Sequence, residues 1–133
     1  MLCCERGLVD EAKTIVKSSA DKIHARSKQG WSPIIIAAYN VQGAVVRMLL
    51  ECGANINDTG IKGTSVFMYA KTRFMYQQVT DFEFLQYLIE NGALINHTDE
   101  DNQMVLDYVS ETSSKALYHF LVTNGAQKSL KNE

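Results

Sequence analysis

Gly53-Ala54-Asn55-Ile56-Asn57, Gly92-Ala93-Leu94-Ile95-Asn96 and Gly125-Ala126 share one pattern. Gly92 to Gly125 is 33 residues, and Gly53 to Gly92 is 39, one such period plus six. A second glycine keeps the same interval, with 33 residues from Gly30 to Gly63. Self-similarity at a period of about 20–50 residues marks stacked supersecondary units. Stacks of this kind present an extended surface, which turns the functional question toward recognition and away from a catalytic pocket.

The segment from Gly30 to Gly63 contains one whole unit. Ser32 can cap a helix, and Pro33 suits the first helical position, where its missing N–H costs nothing. Ile34 to Tyr39 reads as a short helix that is apolar all round, hence sandwiched between neighbours. Asn40-Val41-Gln42-Gly43 breaks it. Ala44 to Glu51 reads as a second helix with one buried stripe, Val45, Val46, Leu49 and Leu50. Gly53 stands where a left-handed helix cap is wanted, and Ala54 to Lys62 is a polar extended loop that turns at Gly63. Neither helix can bury its stripe alone.

These residues resemble the ankyrin repeat, a unit of about 33 residues. Ser32-Pro33-Ile34-Ile35 stands for its Thr-Pro-Leu-His signature, Ala37-Ala38 for its paired alanines, and Gly53-Ala54-Asn55-Ile56-Asn57 for its Gly-Ala-Asp-Val-Asn ending. The resemblance implies an all-α ankyrin repeat solenoid of about four helix-turn-helix units with β-turn fingers, the first incomplete, in one domain over 1–133. A partial first repeat spans 1–26 and a second 27–59. The third, 60–98, carries a six-residue insertion within Lys71–Thr80. The fourth spans 99–126, and a polar tail 127–133 follows. Cys3-Cys4 takes the alanine-pair place in the first unit. The family's histidine position holds Ile35, Met68 and Asp107, so part of its usual turn-stabilising hydrogen bonding is lost. The short first unit implies either that the native chain begins upstream or that this end exposes apolar surface and offers a route to self-association of an otherwise monomeric chain. Asn57 and Asn96 fall where some eukaryotic members are hydroxylated.

Composition bounds the rest. The chain has 133 residues, 46% hydrophobic and 21% charged, with net charge −2. That is one globular domain with no general pull toward nucleic acid or anionic lipid. No apolar run reaches the ~20 residues of a membrane helix, and no secretion signal opens the chain. Cys3, Cys4 and Cys52 make a poor disulfide framework, so a reducing cytoplasm is expected. His24, His97 and His119 are dispersed, no metal-ligand spacing or phosphate-binding glycine loop is present, and no nucleophile has a partner base. Catalytic, metal and cofactor-binding residues are therefore expected to be none.

What remains is a protein partner. In the resembled family, partners contact finger tips and the concave face of the first helices. Those positions here are Lys28, Gln29 and Trp31, then Ile61, Lys62 and Thr64, then Glu100, Asp101 and Gln103, with Ile36, Tyr39, Tyr69, Arg73, Tyr108 and Thr112 from the helices. Tryptophan, tyrosine and arginine dominate binding hot spots, which selects Trp31, Tyr39, Tyr69, Arg73 and Tyr108. Phe74 and Tyr76 join them from the insertion, and Lys62 from a finger. Each has a structural alternative: Trp31 lying across the next finger, the tyrosines packing between repeats, the insertion lengthening a helix over its own hydrophobic neighbours. The reading is a non-catalytic adaptor or inhibitor. Its rivals are an immunity-type inhibitor of an enzyme and an ankyrin domain excised from a larger protein.

Overall fold

Each Gly-Ala step ends a helix in the same way. Helices α1 (Leu2–Arg6), α2 (Val9–Ser18), α3 (Pro33–Tyr39), α4 (Gly43–Glu51), α5 (Val66–Gln77), α6 (Glu83–Glu90) and α7 (Lys115–Thr123) follow one another, with 3-10 turns at Ala20–His24, Ile61–Gly63 and Val105–Tyr108. The structure, a computed structural model, describes residues 2–18, 20–77 and 80–130. After α4, the Ala54 amide donates to Leu49 O and that of Gly53 to Leu50 O. Ala93 and Gly92 repeat this after α6, Ala126 and Gly125 after α7. These are paired Schellman bonds closing on a left-handed residue, with φ of 100°, 98° and 93° at the three glycines. Helix α3 ends on the same bond pair, from Gln42 to Ala37 O and Val41 to Ala38 O. There the left-handed residue is Val41, at φ 56°, an uncommon conformation for a β-branched side chain.

The second glycine series turns the fingers. Ser27 bonds Trp31 O, Gly60 bonds Thr64 O and Asp99 bonds Gln103 O. In each finger the residue three after the first is left-handed: Gly30, Gly63 and Asn102. Asn is the residue that best replaces glycine there, so the beat persists in the third finger without its glycine. Neighbouring fingers are tied together. Arg26 pairs with Asp58 at 2.7 Å and donates to Thr59 O at 2.9 Å. The Glu100 amide donates to Lys62 O at 3.0 Å, and His97 Nε2 donates to Gly63 O at 2.7 Å. On the other edge, the Asn57 amide spans to Gly92 O at 3.0 Å and accepts from the Leu94 amide at 2.9 Å. Asn96 bridges Gly125 O and the Gln127 amide likewise.

The core runs between the two helix layers. Val45, Val46, Leu49, Leu85, Leu88, Leu117 and Leu121 come from the second helices, and Ile34–Ala38, Val66–Met68, Val105 and Leu106 from the first. Two sequence expectations change, and the insertion takes the structural alternative named for it, a lengthened helix. Ser32 does not cap α3. Its hydroxyl, 2% exposed, donates to Asp58 Oδ2 at 2.5 Å and joins helix to finger. The insertion is largely helix: α5 has 12 residues against 7 in α3, and carries Lys71 to Gln77, while Gln78 and Val79 lie outside the described residues. In the last unit the first helix is only the turn Val105–Tyr108, because Val109 is extended and the Ser110–Ser114 run forms its own turn, Ser110 Oγ accepting from the Ser113 amide. Short hydroxyl side chains compete in this way with helical bonding. Of the tail, Ser129 is 4% exposed and its amide donates to the Asp107 carboxylate; 131–133 lie outside the described residues.

A pair of substitutions separates backbone strain from packing. At Gly53 an added Cβ meets nothing within 4 Å, whereas at Gly63 it comes 3.2 Å from the Glu100 amide nitrogen. Gly53→Ala carries the left-handed cost alone, about 1 kcal/mol. Gly63→Ala adds a push on the amide that joins two fingers, for a total of about 2–3 kcal/mol. Urea denaturation compares them, and equal losses would contradict the contact.

Candidate protein-binding surface

Trp31 follows the first finger and meets two first-helix tyrosines. Its ring lies 5.5 Å from that of Tyr39, tilted by 42°, and 5.5 Å from that of Tyr69, at 63°. All three are half-buried. These are direct ring contacts of the edge-on kind that aromatic quadrupoles favour, so the trio is one rigid aromatic block with a face left to solvent. Gly60 makes room for it, since a Cβ there would stand 2.6 Å from the Tyr69 hydroxyl oxygen. Ile61, 60% exposed, projects from the second finger against Gly30, one residue before Trp31. The sequence reading placed it on a finger without selecting it.

Beyond the block, one turn along α5 from Tyr69, Arg73 reaches back to the α3–α4 turn, its guanidinium donating to Asn40 O at 3.2 Å and to Asn40 Oδ1 at 3.4 Å. Tyr76, one turn further, is 78% exposed. Tyr39, Thr72, Arg73, Tyr76 and Gln77 line a depression of about 200 Å³. Trp31, Tyr39, Tyr69, Arg73 and Tyr76 thus follow one another along a single surface.

Other expected residues lie elsewhere. Phe74 is corrected outright: it is 5% exposed and packs 5.9 Å from Phe82, which in turn lies 4.8 Å from Phe120. The lengthened α5 carries it inward, where it links α5 to α7. Ile36, 4% exposed, is likewise core, as expected of the inner side of a helix sandwiched on two sides. Lys62 is exposed at the finger tip, at φ 68°. Tyr108 is 40% exposed but does not extend the tyrosine stripe. Its hydroxyl donates to Asp99 Oδ2 and its ring receives Lys71 Nζ at 5.3 Å. Burial, the bond to Asp99 and the charges of Asp99, Asp101 and Asp107 all push its pKa up. Burial works against the Asp99 charge, yet bonds from the Tyr108 hydroxyl and the Gln103 and Asp101 amides hold its pKa below the ordinary value. Thr112 sits in the turn that replaces the last first helix.

Lys71, the first residue of the insertion, was not selected as a site residue. It is 8% exposed, and its amine finds the Tyr108 ring and the Thr72 hydroxyl, 3.4 Å away. Its position is the one Ala38 holds a period earlier, and a lysine at a paired-alanine place was the available signal. The room for it comes from the shortened helix opposite.

Among the described residues, no three His, Cys, Asp or Glu side chains are grouped to hold a metal, and no helix is long and apolar enough to cross a membrane. The three cysteines are free thiols. Among curated proteins, the chain is similar to human mitochondrial disaggregase, with 25% identity over 133 aligned residues. That alignment covers 87% of this chain and 18% of the relative, so the chain spans less than a fifth of that protein's length. A family model described as Ankyrin repeat matches residues 29–61, the segment that holds Trp31, Tyr39 and the second-helix signature. Ankyrin repeats generally mediate protein–protein interaction. With that match, the Schellman-capped helix pairs and the tied fingers, residues 29–61 are similar to an ankyrin repeat and the chain has the all-α fold of an ankyrin repeat solenoid.

Proposed function

We propose that this chain is a non-catalytic recognition module, divided into the four units expected above, that holds a protein partner on the surface running from Trp31 to Tyr76. The observation that carries this is the clustering of Trp31, Tyr39 and Tyr69 into one half-exposed aromatic block beside Ile61. Aromatic side chains supply large contact area, and a block already locked by packing loses little entropy when a partner arrives. Arg73 and Tyr76 continue the contact on α5, with Lys62 and Tyr108 at its margins. The free thiols suit a reducing, cytoplasmic setting.

The test is affinity capture from source-cell lysate with the intact chain and with a Trp31→Ala, Tyr69→Ala double variant whose helicity has been checked. A partner held by the intact chain is expected to bind the variant at least about tenfold more weakly. Equal capture by both would remove the aromatic block from the interface.

The alignment to 18% of a much longer relative favours a second reading, in which the chain is the recognition segment of a larger protein. Sequencing the native transcript across both ends distinguishes the two readings.

A further inference from the structure

Next to the depression by Tyr76 lies a second cleft of about 460 Å³, and the two share Arg73 and Gln77. Its walls are the α3–α4 turn, the last turns of α5 and the start of α6, with Val41 and Phe84 supplying apolar surface and Asp81 and Glu83 carboxylates. Arg73 is the cation in this lining, but its guanidinium is directed at Asn40 O and Oδ1. The ion pair found among the described residues is Arg26–Asp58, away from here. Asp81 and Glu83 therefore stand without a cationic partner.

Part of their presence has a local explanation. Acidic groups at the start of a helix complement its dipole, and Asp81 Oδ1 accepts the Glu83 amide at 3.0 Å. The apolar wall is partly core: Val41 and Phe84 pack against it and turn their remaining surface to the cleft. Val41 lines the cleft from the left-handed position that glycine fills after α4, α6 and α7, at a backbone cost of about 1–2 kcal/mol. A cleft with aliphatic and aromatic walls ending in two unpaired carboxylates matches one chemistry: a long methylene stem with a cationic head.

We propose that this cleft receives an arginine or lysine side chain of the bound protein, which therefore carries an aromatic or aliphatic residue over the Tyr39–Tyr76 depression and a basic residue beside it. This rests on the reading that the Trp31–Tyr76 surface binds a protein, and adds the partner's charge to it. The lone excess of negative charge in the cleft sets the sign.

A phage library of random 12-residue peptides, panned on the intact chain, tests it. Enriched peptides should pair an aromatic or aliphatic residue with Arg or Lys. Their affinity, read by fluorescence polarisation at about 0.15 M salt, should fall about tenfold on an Asp81→Asn, Glu83→Gln double variant. That variant keeps acceptors at both positions and loses only the charges that complement the helix dipole, so it should stay folded with a melting temperature only a few degrees below the parent's. Trp31→Ala should weaken the same peptides independently. Enriched peptides without a basic residue, or ones that bind the double variant as well as the parent, overturn the inference. If Trp31→Ala leaves binding intact while the double variant weakens it, the cleft stands and the aromatic surface falls. No enrichment counts against both.

Discussion

Lys71→Met is expected to stabilise this protein at pH 7 by about 1–3 kcal/mol, raising its melting temperature by about 5–10 °C. Few surface-charge removals do this. Lys71 differs because the residue is 8% exposed and its amine meets a ring and a hydroxyl in place of a carboxylate. A buried ammonium loses hydration that one ring and one hydroxyl restore only in part. Burial accordingly lowers its pKa from 10.5 to about 8. The sign follows. Below pH 8 both folded and unfolded chains hold the proton, and the fold carries the full cost of the buried charge, about 3 kcal/mol. Between pH 8 and 10.5 the folded chain releases the proton first, so stability rises with pH. Tyr108 acts in the opposite direction, but only at higher pH. Its pKa is raised, so the unfolded chain ionises first and stability falls above about pH 10. The clean window is pH 8 to 10. Calorimetry of parent and Lys71→Met across it should give a parent curve that climbs toward the variant's. Parallel curves would mean that the amine is solvated in the folded chain.

That lysine also marks what the sequence could and could not convey. The capping glycines and the paired helices were legible because they depend on local rules: left-handed residues close helices, and one apolar stripe needs a partner. The aromatic block was partly legible, since Trp31 follows the finger glycine and Tyr39 and Tyr69 fall on first helices of the repeat. Phe74 misled because the insertion takes its structural alternative, a lengthened helix, and five added residues of helix turn side chains both inward and outward: Phe74 went in and Tyr76 out. The last first helix misled because Tyr108 and Thr112 are neighbours only on a helix, and Val109 with the Ser110–Ser114 run withholds it. Lys71 and the cleft by Phe84 depend on what faces what across repeats, which spacing within one repeat does not encode.

Two core truncations should fail in different ways. Phe67, 2% exposed on α5, sits in the middle of the stack, and Phe67→Ala should cost about 3–5 kcal/mol. Leu121, 0% exposed on α7, should cost about 2–5 kcal/mol on the same scale. In a stack, stability is a sum of unit and neighbour terms, so the position of the loss matters as much as its size. The last unit has a four-residue turn where the others have a helix, and α7 reaches the rest of the stack partly through the Phe82–Phe120 contact. Weakened there, it should open before its neighbours. The single tryptophan, Trp31, reports on the other end, while far-UV circular dichroism reports on all helices. Phe67→Ala should shift both signals to lower urea together. Leu121→Ala should lose part of the dichroism early and leave the fluorescence midpoint near the parent's. If Leu121→Ala instead moves both signals equally, the aromatic bridge couples the ends strongly enough for the chain to unfold as one unit. The shortened helix would then carry no cost in cooperativity.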